Sequence, residues 1–314
     1  MYYVSMSLRS LGPALVAFLT TLEVALVQPH VTARIKTGAN PCESVAAARA
    51  VWVANDGAGT LARINPRNNR VTARVRVGRG ACAVAVGSGA IWVANYRTGL
   101  LLRVDPTTRK LRRVRVGGGP FDAVAAVGGI WTTGFDNGTL VRVDGHTARV
   151  TRRIDVGGAP NGLLYHAGAI WVGLGRDATE VLRVDPRSGS VRRIDVGVKA
   201  PTHFVATKSG IWVVNDGDTL VLIDPANGHV SKVVHVGRTL VQPALGPDGK
   251  LWVPDKELDR IYRLDPATGR VLDSFPGGDG AFQALRAFRS MWVTSYAGAD
   301  VWRFRMASYS GARS

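Results

Sequence analysis

Few side chains in this sequence have the chemistry and the spacing of a catalytic or metal site. His203 could act as a general base, and Asp255 and Glu257, two residues apart, could supply carboxylates. The segment Asn215-Asp216-Gly217-Asp218 resembles a calcium loop only in part, because its glycine is misplaced and no glutamate follows at the required distance. No Cys/His spacing is typical of zinc, and no glycine-rich phosphate loop opens a helix. Any chemistry therefore depends on which distant residues the fold brings together.

The elements that must position these residues are copies of one unit. Seven of the eight tryptophans recur at spacings of 40, 39, 40, 41, 40 and 40 residues, each inside a short apolar segment such as Ile91-Trp92-Val93-Ala94-Asn95. They are Trp52, Trp92, Trp131, Trp171, Trp212, Trp252 and Trp292. A period of about 40 residues indicates one supersecondary unit repeated along the chain.

Each unit is predicted to form four antiparallel strands. In one unit, residues 83–87, 90–95, 100–104 and 111–116 are apolar segments rich in β-branched residues. Between the last two segments, Asp105-Pro106 favours a tight turn, because proline presets φ and aspartate can bond back to the backbone. Four such strands in about 40 residues make a propeller blade, so the chain is predicted to be an all-β, seven-bladed β-propeller.

The last unit lacks its fourth strand, and the start of the repeat supplies one. Val31-Thr32-Ala33-Arg34 lies 40 residues before the fourth-strand segment Val71-Thr72-Ala73-Arg74 and matches it residue for residue. We therefore predict that the N-terminal strand completes the last blade and leaves no open sheet edge in the ring. The tryptophans are predicted to pack between neighbouring blades as core rather than to form an aromatic cage.

On one rim of such a ring, the loops between second and third strands lie beside the loops that join the blades. Polar and aromatic residues in these loops are predicted to bind a ligand. They are Asn55, Asn95, Tyr96, Arg97, Phe121, Asn161, Asn215, Gln242, Phe282 and Tyr296. The alternative is that they are ordinary polar surface loops.

The two cysteines provide a check on the blade register. Cys42 and Cys82 each lie ten residues before a tryptophan, in adjacent blades, so we predict that they are neighbours on the rim. The sequence leaves open whether they form a disulfide, which requires Cα atoms within roughly 7 Å.

Charge and composition narrow the class of partner. A hydrophobic content of 46% is ample for a packed core, and the formal charge of +17 comes from 40 Lys and Arg against 23 Asp and Glu. Clusters such as Arg112-Arg113 fall on predicted outermost strands, where charge suppresses edge pairing. Nucleic acid is not expected as a partner, because no aromatic residues interleave with these arginines.

Residues 1–28 stand outside the repeat. One positive charge precedes an apolar run from Leu11 to Val27, which resembles a signal peptide although Glu23 interrupts it. The run is too short and too broken for a membrane span, and the alternative is a disordered leader. We therefore expect a leader at 1–28, a propeller at 29–306 and a C-terminal tail at 307–314, with the protein extracytoplasmic or secreted.

The repeat motifs resemble those of known bacterial propellers. Trp-Val-Ala-Asn at 52–55 and 92–95, the turn Asp265-Pro266-Ala267-Thr268-Gly269 and the closing Val-Gly look like YVTN-type repeats. They are also similar to the repeats of streptogramin B (virginiamycin B) lyases, most clearly at 243–252. The resemblance covers His30 to Met306 and implies a propeller. Its motifs specify the fold far better than the activity.

The lyase resemblance also implies a chemistry. Such lyases open a cyclic depsipeptide by elimination, with a histidine and glutamate cluster on the rim and a divalent metal. Here the roles would fall to His203 as the base, with Glu257 and Asp255 as carboxylates and magnesium as the metal, although no Glu-x-His pair is present.

We interpret the chain as a binding or scaffold module rather than an enzyme. A small molecule, peptide or protein is expected at the rim, with no cofactor, and the protein is expected to be a monomer. The alternative is a streptogramin B lyase-like carbon–oxygen lyase that uses magnesium.

Overall fold

A computed structural model of the protein describes residues 29–306, and the predicted leader and tail lie outside the described residues. The described chain forms 28 strands in seven four-stranded antiparallel sheets, each of which is one blade. Neighbouring first strands contact one another, so they line the centre of the ring. The predicted all-β, seven-bladed propeller is confirmed. Within the described residues, no helix is long and apolar enough to cross a membrane.

The strands follow the repeat closely. After β1 (Pro29–Lys36), the first three blades comprise β2 (Pro41–Ala47), β3 (Ala50–Asn55), β4 (Thr60–Asn65), β5 (Arg70–Arg76); β6 (Ala81–Gly87), β7 (Ala90–Asn95), β8 (Leu100–Val104), β9 (Leu111–Arg115); and β10 (Pro120–Ala126), β11 (Gly129–Gly134), β12 (Thr139–Asp144), β13 (Val150–Asp155). The next two comprise β14 (Pro160–His166), β15 (Ala169–Leu174), β16 (Glu180–Val184), β17 (Val191–Asp195); and β18 (Pro201–Thr207), β19 (Gly210–Asn215), β20 (Thr219–Ile223), β21 (Val230–His235). The last two comprise β22 (Ala244–Leu245), β23 (Leu251–Asp255), β24 (Arg260–Leu264), β25 (Val271–Pro276); and β26 (Ala281–Ala287), β27 (Ser290–Ser295), β28 (Asp300–Met306).

The seven repeated tryptophans form the core between blades, as predicted. All seven are fully buried, and each belongs to a separate hydrophobic cluster that includes residues of the following blade. Trp92, for example, packs with Ile130 and Val141 of the next blade, and Trp292 of the last blade packs with Val51 of the first. Burying an indole against each neighbour joins separate sheets into one ring.

The N-terminal strand closes that ring. β1 pairs antiparallel with β28, from Pro29 opposite Met306 to Lys36 opposite Asp300. Ile35 is buried there, and the Lys36 ammonium lies 3.2 Å from the Asp300 carboxylate. The predicted closure is therefore confirmed, and the last sheet has the order β1-β28-β27-β26.

Turns between third and fourth strands use the chemistry that the sequence indicated. The Asp105 side chain accepts hydrogen bonds from the backbone N–H groups of Thr107 and Thr108 at 2.8 and 2.7 Å, and these bonds hold its pKa below the usual range. In another such turn, Gly269 has φ of 76°, a left-handed conformation that glycine adopts without strain.

The cysteine pair confirms the blade register. Cys42 and Cys82 are joined by a disulfide with a Cα–Cα distance of 5.1 Å, which answers the question that the sequence left open. The bond links the first strands of the first two blades beside the centre of the ring.

Candidate ligand-binding site

Bulges at the entry to the first strands position the candidate site. The pairing register shifts between Pro120 and Ala123, and again between Pro201 and His203. A bulge re-aims side chains beside the strand end. As a result the residues ten and nine positions before the tryptophan, Phe121 with Asp122 in one blade and Thr202 with His203 in another, all line the same cavity.

Two connected cavities open on the predicted rim. The first, which we call the aromatic cavity, has a volume of about 480 Å³ and is lined by Cys42, Asp56, Cys82, Tyr96, Phe121, Lys256, Gly280, Phe282, Tyr296 and Ala297. The second, which we call the throat, has a volume of about 150 Å³ and is lined by Glu43, Cys82, Phe121, Asp122, Asn161, Thr202, His203, Asp216, Val241, Lys256 and Phe282. Four residues line both, so a ligand in the aromatic cavity can reach the throat.

Aromatic rings make up much of the first cavity. The ring centroids of Tyr96 and Phe121 lie 6.3 Å apart, and those of Phe282 and Tyr296 are stacked at 5.6 Å. The Tyr296 hydroxyl donates a hydrogen bond of 3.0 Å to Asp56. Burial and the Asp56 charge raise the pKa of Tyr296 to about 12, so the hydroxyl stays protonated as a donor.

Buried carboxyl groups occupy the throat. Glu43 and Asp122 are only 5% and 6% exposed. The Glu43 carboxylate accepts the backbone N–H of Val84 at 3.0 Å, and that of Asp122 accepts the N–H of Leu163 at 2.6 Å, so each links its blade to the next. Burial raises the pKa of Asp122 to about 7. Burial, together with the charge of Asp122, raises the pKa of Glu43 well above its usual range.

The throat also contains the predicted base. Burial lowers the pKa of His203 to about 4, with Asp216 opposing the shift and Lys256 adding to it. The imidazole is therefore neutral at pH 7 and can accept a hydrogen bond or a proton.

The two other residues of the predicted catalytic cluster do not join His203 in this cavity. Asp255 is fully buried at the end of β23, where its side chain accepts hydrogen bonds from four backbone N–H groups, those of residues 238 and 239 between the blades and those of residues 257 and 258. Glu257 pairs with Arg238 at 3.1 Å and accepts the Thr239 hydroxyl at 3.0 Å, and these bonds hold its pKa below the usual range. Neither carboxylate lines the throat.

Those three residues therefore do not fit a magnesium ion. A magnesium site needs oxygen ligands that face one point, whereas Asp255 already accepts backbone N–H groups and Glu257 already bonds the side chains of Arg238 and Thr239. Over residues 29–306, no three His, Cys, Asp or Glu side chains lie together in a group that could hold a metal ion.

The ten predicted ligand-binding residues fall into two groups. Tyr96, Phe121, Asn161, Phe282 and Tyr296 line one or both cavities. The others, which line neither cavity, are Asn55, Asn95, Arg97, Asn215 and Gln242.

The three asparagines of the second group organise loops. Asn55 and Asn95 are buried, and Asn95 donates to the backbone carbonyl of Val77 at 3.0 Å. Asn215 accepts the backbone N–H of Thr219 at 2.8 Å. All three, like Asp255, lie three residues after a repeat tryptophan. Recurrence of the same residue type, Asn or Asp, at one repeat position is a signal of a structural role.

The remaining two residues lie beside the site. Arg97 is exposed and donates to the Tyr96 hydroxyl at 3.2 Å. Gln242 accepts the backbone N–H of Ala284 on its main-chain oxygen at 3.1 Å, which ties two blades together.

Sequence reasoning missed Glu43 and Asp122. Both lie nine residues before a repeat tryptophan, as does His203. The other residues at this position are Ala83, Gly162, Pro243 and Gln283. The signal in the sequence was this position, which holds two acids, a histidine and an amide among small residues. The rim prediction considered the residues ten positions before each tryptophan and so did not include Glu43 and Asp122.

Comparisons with known proteins bear on the fold. No protein-family model matches this sequence, and no curated protein matches it either. Virginiamycin B lyase from Staphylococcus aureus is similar in structure, with a TM-score of 0.77 at 14% identity over 88% of this chain and 99% of that one. Its catalytically inactive variant with quinupristin gives a TM-score of 0.73 at 15% identity, over 89% and 98% of the two chains.

A second protein shares the architecture. Hydrazine synthase from Kuenenia stuttgartiensis gives a TM-score of 0.73 at 15% identity, over 87% of this chain and 97% of that one. At such identities the likeness shows the fold alone. The chain is thus a seven-bladed propeller of the kind seen in streptogramin B lyase, as its repeats predicted.

Proposed function

We propose that this protein is an extracytoplasmic binding module whose aromatic cavity holds a small molecule with an aromatic or apolar body. The observation that carries the proposal is the concentration of Tyr96, Phe121, Phe282 and Tyr296 around one cavity of about 480 Å³. Phe121 is 37% exposed there. A concave site lined by rings, with a few polar groups at its base, is typical of ligand-binding pockets.

The disulfide supports the extracytoplasmic part of the proposal. Cys42 and Cys82 are bonded, and such bonds persist mainly in oxidising compartments. The apolar run within residues 1–28 resembles an export signal and is consistent with that location.

Binding of a neutral aromatic probe tests the proposal. We expect naphthylmethanol to bind, and the double variant Phe121→Ala/Phe282→Ala to weaken binding at least about tenfold, because two ring contacts are worth more than about 1.4 kcal/mol. Isothermal titration calorimetry measures the affinity.

Tyr165→Ala is the matched control for that measurement. Tyr165 is an exposed aromatic residue on the inner strand β14, and it lines neither the aromatic cavity nor the throat. Its removal is expected to leave the affinity unchanged. An affinity unaffected by the double variant, or lowered equally by Tyr165→Ala, would contradict the proposal.

A second candidate function is depsipeptide elimination. Two observations favour it, namely the neutral His203 in the throat and the structural likeness to a lyase variant studied with quinupristin. His203 would remove a proton from the bound ring. Against it, Asp255 and Glu257 bond elsewhere and do not assist His203.

We therefore expect the purified protein, supplied with magnesium, not to linearise quinupristin. An elimination enzyme needs its base and its charge-stabilising groups together, and they are apart here. Mass spectrometry detects the opened ring. Turnover by the natural chain that disappears in His203→Ala would replace the binding-module proposal with the lyase.

A further inference from the structure

We propose that the throat selects ligands that bear a protonated amine, so that the small molecule bound in the aromatic cavity is an organic cation. This inference rests on the proposed function and names the class of its ligand. The amine would enter the throat while the aromatic body occupies the cavity above. Nothing covalent is involved, and the selection depends on charge and hydrogen bonding alone.

The shape of the site places the two parts of such a ligand. Phe121 and Phe282 line both the aromatic cavity and the throat, so they mark the passage between them. Glu43 and Asp122 line only the throat. A ligand whose ring lies against Phe121 therefore directs its substituent toward two carboxyl groups. Aromatic faces along the way also attract a cation.

Hydrogen-bond acceptors dominate the throat. The bonds from Val84 and Leu163 hold the Glu43 and Asp122 carboxyl groups in fixed orientations. Asn161 lines the same cavity, and its side-chain oxygen is buried without a hydrogen-bond partner among the residues that the structure describes. An unpaired buried acceptor is costly, and a ligand that donates hydrogen bonds relieves that cost. An ammonium group is suited to this site because it has three donors and no acceptor.

The charged groups around the two carboxyl groups are compatible with a bound cation. The other ionisable residues of the throat are His203, Asp216 and Lys256. His203 is neutral at pH 7. Lys256 is exposed, and among the residues that the structure describes no carboxylate lies within ion-pair distance of its ammonium. Neither Glu43 nor Asp122 forms an ion pair within residues 29–306, and an amine would supply the counter-ion.

Protonation of Asp122 and Glu43 gives a second measurement that tests the proposal. The raised pKa of Asp122, about 7, and that of Glu43 mean that the pair retains protons near neutral pH. A cation bound beside them favours the ionised form, so it displaces a proton. Amine affinity should therefore rise as the pH rises from 6 to 8, and binding should release a proton to the buffer.

Three naphthyl probes with one ring system test the head-group preference. We expect naphthylmethylamine to bind at least about tenfold more tightly than naphthylmethanol at pH 8, and naphthylacetate to bind most weakly, because like charges repel in a buried site. Calorimetry at pH 7, where Asp122 still carries part of its proton, in buffers of different ionisation enthalpy detects the proton released by the amine, and none is expected for the alcohol.

Isosteric variants assign the preference to the two acids. Glu43→Gln and Asp122→Asn remove the charge while keeping an oxygen that can accept the Val84 or Leu163 N–H. Each is expected to reduce the ratio of amine affinity to alcohol affinity about tenfold or more. Glu257→Gln is the control, because this acid lies outside the throat. If Asp122→Asn fails to fold, Glu43→Gln and the proton release still decide the question.

The possible outcomes separate this inference from the function on which it rests. Equal or tighter binding of the alcohol or the acetate would overturn the amine preference and leave the binding module intact. So would an amine preference that survives Glu43→Gln and Asp122→Asn. If none of the three probes binds, the proposed function itself fails.

Discussion

Deletion of residues 1–38 is expected to abolish cooperative folding of the ring. The deletion removes β1, which is the outer strand of the last blade, along with every pairing from Pro29 to Lys36 against β28. It also removes Thr37, whose hydroxyl donates to Asn55 at 2.8 Å inside the first blade. A domain's net stability is only about 5–15 kcal/mol, so the loss of a whole strand consumes most of it. The newly bare edge of β28 should also promote aggregation.

Deletion of residues 1–28 is the matched control. It leaves β1 and all of its contacts in place, so the melting temperature should stay close to that of the full chain. Thermal unfolding followed by circular dichroism and light scattering distinguishes the two proteins. A chain lacking residues 1–38 that melts as the full chain does would show that β1 is not needed to close the ring.

Asp255→Asn is expected to destabilise the protein by about 3 kcal/mol. In the natural chain, backbone N–H groups donate to both carboxylate oxygens, and in the variant some of them would face the buried NH2 group of the asparagine instead. The Arg238 N–H donates to Oδ2 at 2.6 Å and the Leu258 N–H to Oδ1 at 2.9 Å, and the side chain is fully buried. An asparagine can accept on only one of its two terminal atoms. The effect should appear as a lowered midpoint in urea unfolding.

Glu257→Gln serves as the comparison, since it lies two residues away and carries the same charge. Its ion pair with Arg238 is exposed, with side chains 51% and 65% accessible, and such pairs contribute about 0–1 kcal/mol. The expected change in unfolding free energy is therefore small. Equal stability of the two variants would mean that Asp255 does not organise its loop, and would reopen its predicted role in catalysis.

The repeat explains why the fold could be predicted from residues alone. Each 40-residue unit carries its own strands and turns, and Trp92 needs only the adjacent unit to be buried. Packing of similar units against their nearest neighbours determines the ring once the number of units is known. The closing strand followed from the same logic, because residues 31–34 match residues 71–74 in the register of a fourth strand.

Loop position was a less reliable guide to the site. Phe121 and Tyr296 were predicted on the rim and do line the aromatic cavity. Asn95 and Asp255, the last residues of β7 and β23, lie at the rim too, but their side chains bond the backbone. Short polar side chains compete for nearby N–H and C=O groups, so a polar residue in a loop often organises the loop rather than a ligand.

By itself, the sequence determined the seven blades, the closing strand, the tryptophan core and the proximity of Cys42 and Cys82, because each depends on residues in the same or adjacent units. Only the tertiary structure decided the throat. Glu43, Asp122 and His203 belong to the first, third and fifth blades and lie about 80 residues apart in the chain. They share one cavity because ring closure directs every first strand toward the same axis. Their unusual pKa values arise from burial at that axis, a property of the closed ring that no single repeat contains.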